Sequence, residues 1–211
     1  MRFTLPALIT SAIKLCRRYK NREHVENEWQ TKVQAILKFA RQLTSMLATD
    51  VEAPAIALRL FLLSAQISDE CGFEDLTYDF YVQAFTVYEE CISESRAQLQ
   101  AITLVIGTLA GAKVFGEDNY DTLITKAALH GAKLLKKSHQ ASAVQLASHL
   151  WWQEASAPAE GESEVKKEEG EEGDVKAVRT YWSQRVLMTF LGSILIKTAN
   201  GCLNVYKSHY G

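Results

Sequence analysis

Apolar residues recur every three to four positions in seven successive stretches of the chain, the spacing of helix faces rather than strands. The first stretch, about 3–20, aligns Leu5, Leu8/Ile9, Ala12/Ile13 and Cys16 and ends in Arg17, Arg18, Lys20 and Arg22. Pro6 falls where a first helical turn tolerates it, and cations at a C-terminus favour the helix dipole. The second, about 25–48, carries Trp29, Val33, Ile36/Leu37, Ala40, Leu43 and Leu47. The third, about 54–70, holds Ile56, Leu58 and Leu60 to Leu63 and stops at Cys71-Gly72. The fourth, about 75–93, has two stripes, Leu76/Phe80/Ala84/Val87 and Tyr78/Tyr81/Phe85/Tyr88/Ile92, so neighbours should cover both its flanks.

The fifth stretch, Ser95–Phe115, has no charge for the sixteen residues between Arg96 and Lys113. Sixteen helical residues rise only about 24 Å, short of the roughly 30 Å of a bilayer core. Gln98, Gln100, Thr103 and Thr108 also interrupt it. The reading is a soluble helix covered on several sides, with Gly107 and Gly111, four apart, expected to let another helix approach closely. A phosphate loop is excluded, because only three residues separate these glycines and Ala112 precedes Lys113. The sixth helix, about 119–137, is expected to start on Asp118 or Asn119 and to end in Lys133-Leu134-Leu135-Lys136-Lys137. Ser138 would cap the seventh, about 139–152. From the fourth start to the sixth is about 44 residues, near the helix-pair unit of HEAT-like repeats, whose pairs stack because none buries both its faces alone. The expected fold is all-α, a HEAT-like α-solenoid of stacked helical hairpins over residues 1–153.

Composition adds two further segments. Residues 154–180 hold nine acids and four bases with almost no large apolar groups, which reads as an acidic flexible insert. Residues 181–211 contain an uncharged run, Val186 to Ile196, of eleven residues, read as a terminal helix that packs on or extends the solenoid. The whole chain of 211 residues has a formal charge of −2. With −5 in the insert, the remainder carries +3, too little to imply nucleic acid. Cys16, Cys71, Cys91 and Cys202 lack paired zinc spacing, no N-x-Ser/Thr site occurs, and the start lacks a signal-peptide pattern. A cytosolic setting is expected, with the cysteines as small core residues.

Chemistry is sparse. His24, His130, His139, His149 and His209 form no metal-ligand spacing, and His130 and His149 read as edging helix packing. There is no nucleophile elbow, Cys-His pairing or nucleotide loop. No catalytic residue, metal or cofactor is expected. One charge pattern runs against helix physics: Glu89, Glu90 and Glu94 close the fourth helix, where acids oppose the dipole. Alternate helices of a hairpin stack run parallel, so this end and the basic end of the sixth should share a rim.

Three blocks carry a family resemblance: FTLPALITSAIKLCRRYK with Trp29, then TYDFYVQAFTVYEECISESRAQLQAITLVIGTL (Thr77–Leu109), then KAALHGAKLLKKSHQASAVQLASHLWW (Lys126–Trp152). They resemble the C-terminal part of the large α-solenoid subunit of retromer, the vacuolar protein sorting 35 family. The likeness runs over roughly residues 3–152, and Arg185-Val186-Leu187 and Ala199-Asn200-x-Cys202 add a partial match. The resemblance implies a fragment of a non-enzymatic scaffold in a cytosolic coat on endosomal membranes, held to the membrane indirectly by other coat proteins, that recycles cargo receptors. It implies a metallophosphoesterase-like partner, vacuolar protein sorting 29, cradled by the C-terminal half, and homodimer contacts. Partner binding is expected on the concave side, with Tyr78, Tyr81 and Tyr88 as candidates. The dimer candidates are Glu89 and Glu90 on one copy against Lys133, Lys136 and Lys137 on the other, a weak, salt-sensitive pairing. Cys91 stands where the family tends to place a further acid. The alternative reading is a helical-repeat adaptor of another pathway, such as nuclear transport or regulated proteolysis.

Overall fold

The computed structural model describes residues 1–25 and 28–152; the expected insert (154–180) and terminal helix (181–211) lie outside the described residues. Among the described residues every regular element is a helix: α1 (Thr4–Lys20), α2 (Trp29–Thr49), α3 (Pro54–Glu70), α4 (Glu74–Cys91), α5 (Ser95–Leu109), α6 (Glu117–Ala132) and α7 (Lys137–Ser148), then a 3-10 turn, His149–Trp152. Local chemistry sets several boundaries. Pro54 opens α3 at a position that needs no N–H donor. Gly72 ends it at φ 80°, and Phe73 N–H then donates to Ser68 O at 3.1 Å while Gly72 N–H donates to Asp69 O at 3.0 Å. This paired closure needs a left-handed residue, which glycine adopts without strain.

Helices α1, α3, α5 and α7 each touch the next of their set, whereas α2, α4 and α6 approach one another less closely. A stack that closes on one side and opens on the other curves toward the closed side. The odd helices therefore form the inner, concave layer and the even helices the outer one. The fold is an all-α, HEAT-like solenoid of stacked hairpins. One continuous core joins the layers, from Ile9 and Ile13 through Phe61, Phe80 and Phe85 to Ala143 and Leu150. Within it, α5 buries Ile102, Val105 and Leu109 against α3, α4, α6 and α7. No helix among the described residues is long and apolar enough to cross a membrane.

Between Arg59 and Arg96 the sequence has eight acids and no Lys or Arg. Four of these acids, Asp69, Glu70, Glu74 and Asp79, reach outward from the α3–α4 hairpin to both neighbouring hairpins. Glu70 pairs with Arg17 of α1 at 3.0 Å and Asp79 with Arg41 of α2 at 2.9 Å. On the other side, Asp69 Oδ1 accepts from Lys113 N–H and Val114 N–H, each at 2.8 Å. Glu74 Oε1 accepts from Gly116 N–H at 2.9 Å and Asn119 Nδ2 at 2.8 Å, and these bonds hold its carboxyl below the usual carboxylate range. The two exposed ion pairs, Arg17–Glu70 and Arg41–Asp79, are worth about 0–1 kcal/mol each, so they fix register between hairpins more than they stabilise the stack.

Three expectations are corrected. First, the sixth helix ends at Ala132 rather than 137. Leu134 turns into the core, so the chain cannot continue helically outward, and α7 restarts with Lys136 as its N-cap and Lys137 as its first residue. Second, no helix of the described chain approaches Gly107, whose missing side chain faces open space. The close helix approach is at Gly131, where an added Cβ would lie 3.1 Å from the Cβ of Ala143. Third, Cys16 and Cys71 are buried but Cys91, at the end of α4, is exposed. Burial pushes the two core thiols up to about 12 and about 11.

Gly131→Leu is therefore expected to wedge α6 from α7 and cost about 1–3 kcal/mol. Gly107→Ala, in open space, should be neutral or stabilise by up to about 1 kcal/mol through helix propensity. Urea midpoints of the two variants check this, and equal midpoints would mean that the α6–α7 approach is slack.

Candidate functional site

The three tyrosines of α4 do not form a surface. Tyr81 is 1% exposed, with its ring 5.7 Å from that of Phe115, and burial raises its phenol far above the ordinary range. Tyr88 is 5% exposed. Tyr78 alone is half-buried and within reach of solvent. All three also sit in the outer layer, not the concave one, because α4 is an even helix. The period-3.6 stripe was real, but it marks the side of α4 that neighbouring helices cover.

The concave surface comes from the odd helices. Both α3 and α5 have odd neighbours on either flank and even helices beneath, which leaves each a single exposed stripe. On α3 that stripe contains Ala55, Arg59 and Gln66; on α5 it contains Arg96, Gln100, Leu104 and Gly107. Leu104 is 39% exposed, and the absent side chain of Gly107 leaves a shallow floor beside it. The sequence signal was there: polar residues seven apart on α3 and four apart on α5, in otherwise apolar helices.

At one rim, the C-terminal ends of α4 and α6 meet. Tyr88, Glu89, Gln98, His130, Lys133 and Leu134 line a groove of about 230 Å³. The acidic and basic ends thus share a rim, yet their charges are not equally available. Glu89 Oε1 lies 2.9 Å from Lys126 Nζ and 3.0 Å from His130 Nε2, so this acid is already engaged within its own chain. The Lys126 bond, above all, lowers the Glu89 carboxyl. The fold therefore gains from this ionised carboxylate above pH 4.5, its ordinary value, and loses that gain as pH falls through the lowered value. His130 is stacked on Phe85 at 5.7 Å and edge-on to Tyr88 at 5.0 Å, and burial holds its imidazole below the ordinary range. Glu90, Lys133, Lys136 and Lys137 are exposed. Lys136 and Lys137 stand at the start of α7, where cations oppose the dipole, the reverse of the favourable ending read from the sequence. Between them and Leu134, Leu135 is 83% exposed.

Among the described residues no three His, Cys, Asp or Glu side chains group as metal ligands. A family model described as vacuolar protein sorting-associated protein 35 matches residues 1–200. The chain is 42% identical over 156 residues to vacuolar protein sorting-associated protein 35A of Arabidopsis thaliana, covering 73% of this chain and 20% of that protein. It is 36% identical over 156 residues to vacuolar protein sorting-associated protein 35 of Schizosaccharomyces pombe, covering 74% of this chain and 18% of that one. The chain thus spans about a fifth of the length of the curated relatives it matches. With a stacked helical hairpin fold and a match across most of its length, the chain belongs to the vacuolar protein sorting-associated protein 35 family.

Proposed function

We propose that the chain is a non-enzymatic scaffold stretch of the retromer coat, cytosolic and peripheral on endosomal membranes, that binds partner subunits during retrograde transport of cargo receptors. The observation that carries this is the inner face of a solenoid with the family's sequence: Arg59, Gln66, Arg96, Gln100, Leu104 and Gly107 expose a smooth, mixed polar and apolar strip on rigid helices. Such a strip suits a rigid globular partner, with apolar contact at its centre and hydrogen bonds around it. The partner is the metallophosphoesterase-like subunit, vacuolar protein sorting 29, and membrane association is indirect, through other coat proteins.

Self-association at the rim is part of the same reading. Glu89 and Glu90 of one copy face Lys133, Lys136 and Lys137 of the other, reciprocally about a two-fold axis. Charges that oppose their own helix dipoles, on α4 and α7, are relieved by opposite charges across such a contact.

Size-exclusion chromatography with light scattering tests the scaffold reading. The chain and the metallophosphoesterase-like subunit should co-elute as a one-to-one unit, and Leu104→Asp should abolish this with the helical spectrum unchanged. Separate elution at tens of micromolar would overturn the partner assignment. A complex unchanged by Leu104→Asp would move the site off the inner face.

A further inference from the structure

Glu89 is the one acid of the self-association reading that the chain itself already holds. Its Oε1 accepts from Lys126 Nζ at 2.9 Å and His130 Nε2 at 3.0 Å, both from α6. Neither donor is placed by chance of surface geometry. Lys126 extends over the Phe85 ring, 5.0 Å from its centroid, and His130 is wedged between Phe85 and Tyr88. The aromatic residues of α4 thus aim two donors of α6 at one carboxylate oxygen. Glu89 lines the same groove as Lys133 and Gln98 at this rim.

We propose that Lys126 and His130 form an intramolecular clamp that withholds Glu89 from the second copy, an autoinhibitory contact that keeps rim self-association weak. The inference rests on the self-association reading given above. In a single chain, α6 donors satisfy Glu89. In a dimer, lysines of the second copy must displace them, and the contact gains only the difference between two similar ion pairs. An exposed pair is worth at most about 1 kcal/mol and a two-fold dimer opens two clamps, so freeing Glu89 in both copies should tighten self-association by no more than about thirtyfold. The groups facing His130 are Tyr88 and Glu89 from α4 and Lys126 and Lys133 from its own side, with the neutral Gln98 of α5 across the groove. Only Glu89 favours the charged imidazole; Lys126 and Lys133 oppose it. When a second copy takes Glu89, His130 loses its one favourable charge and should titrate at lower pH.

Sedimentation equilibrium at low salt and pH 7.5 tests the clamp on four chains: unmodified, Lys126→Met, Lys126→Met/His130→Asn, and Lys136→Glu/Lys137→Glu. The expected order has the double clamp variant about ten- to thirtyfold tighter than the unmodified chain, Lys126→Met between them, and the charge reversal without association. Glu89→Gln in the clamp-free background should remove the gain. Lys126 is at the surface, so Lys126→Met keeps the test valid if the histidine change loosens packing. Nuclear magnetic resonance of the His130 ring adds a readout that a merely structural role would leave still: its titration midpoint should fall as the chain is concentrated. Clamp variants no tighter than the unmodified chain, with charge reversal still abolishing association, would overturn the clamp alone. Absence of association in every chain at millimolar concentration would overturn the self-association reading and the clamp with it.

Discussion

Tyr81→Ala is expected to cost about 3–5 kcal/mol of folding stability, the range for deleting a large buried aromatic side chain. The ring is enclosed in the core beside Phe115, with the side chain of Thr108 near its hydroxyl. Its removal leaves a void between α4 and the α5–α6 connection that rigid helices on either side cannot close. For a domain stabilised by about 5–15 kcal/mol this is a large fraction of the whole. Tyr78→Ala, at a half-buried position on the same helix, should cost under about 1.5 kcal/mol. Urea unfolding followed by circular dichroism separates the two. A Tyr81→Ala chain as stable as the unmodified one would mean that the ring is not part of the core. The contrast also governs how binding data are read: loss of a partner in Tyr81→Ala would report unfolding, not a lost contact.

Asp69→Ala is expected to cost about 1–3 kcal/mol. One carboxylate oxygen receives two backbone N–H groups, Lys113 and Val114, at 2.8 Å each, from the connection between α5 and α6. Bonds to an ionised acceptor are stronger than neutral ones, and removing the acceptor leaves both donors to water or to nothing. Because the acid stands at the end of α3 and the donors follow α5, the loss should loosen one hairpin from the next rather than melt either. Amide exchange is the appropriate measure. Protection should fall from Lys113 to Phe115 and at the start of α6, with α1 and α2 unchanged. Unchanged protection at Lys113 and Val114 would show that the connection holds itself without Asp69. Asp69→Asn should recover part of the effect, since an amide oxygen still accepts but carries no charge.

Helix positions were legible in the sequence because amphipathic periodicity is a local property. All seven expected starts lie within about four residues of the observed ones, and Pro54 and Gly72 mark their boundaries unambiguously. The layer of each helix was not legible. The two stripes of α4 say that it is covered twice, but not whether it faces the inside or outside of the curve; that depends on which helices pack closer, a property of the whole stack. The KLLKK turn failed for a similar reason. Its lysines look like a favourable helix ending until Leu134 is seen to need the core, which breaks the helix and places Lys136 and Lys137 at the next start. Gly107 and Gly111 have the spacing of a packing face, yet the tight approach falls to Gly131, whose neighbour Ala143 is a dozen residues away. The engagement of Glu89 was hidden because its donors, Lys126 and His130, lie about 40 positions on and meet it only through the packing of α4 on α6.

Hydrogen–deuterium exchange of the chain, alone and mixed with the metallophosphoesterase-like subunit, tests most directly that the odd-helix layer is the binding face. New protection is expected on α3 and α5, centred on Arg59 and on Gln100 to Gly107, with the outer helices α2 and α4 unchanged. Protection on the outer helices instead, or none anywhere at saturating partner, would contradict it.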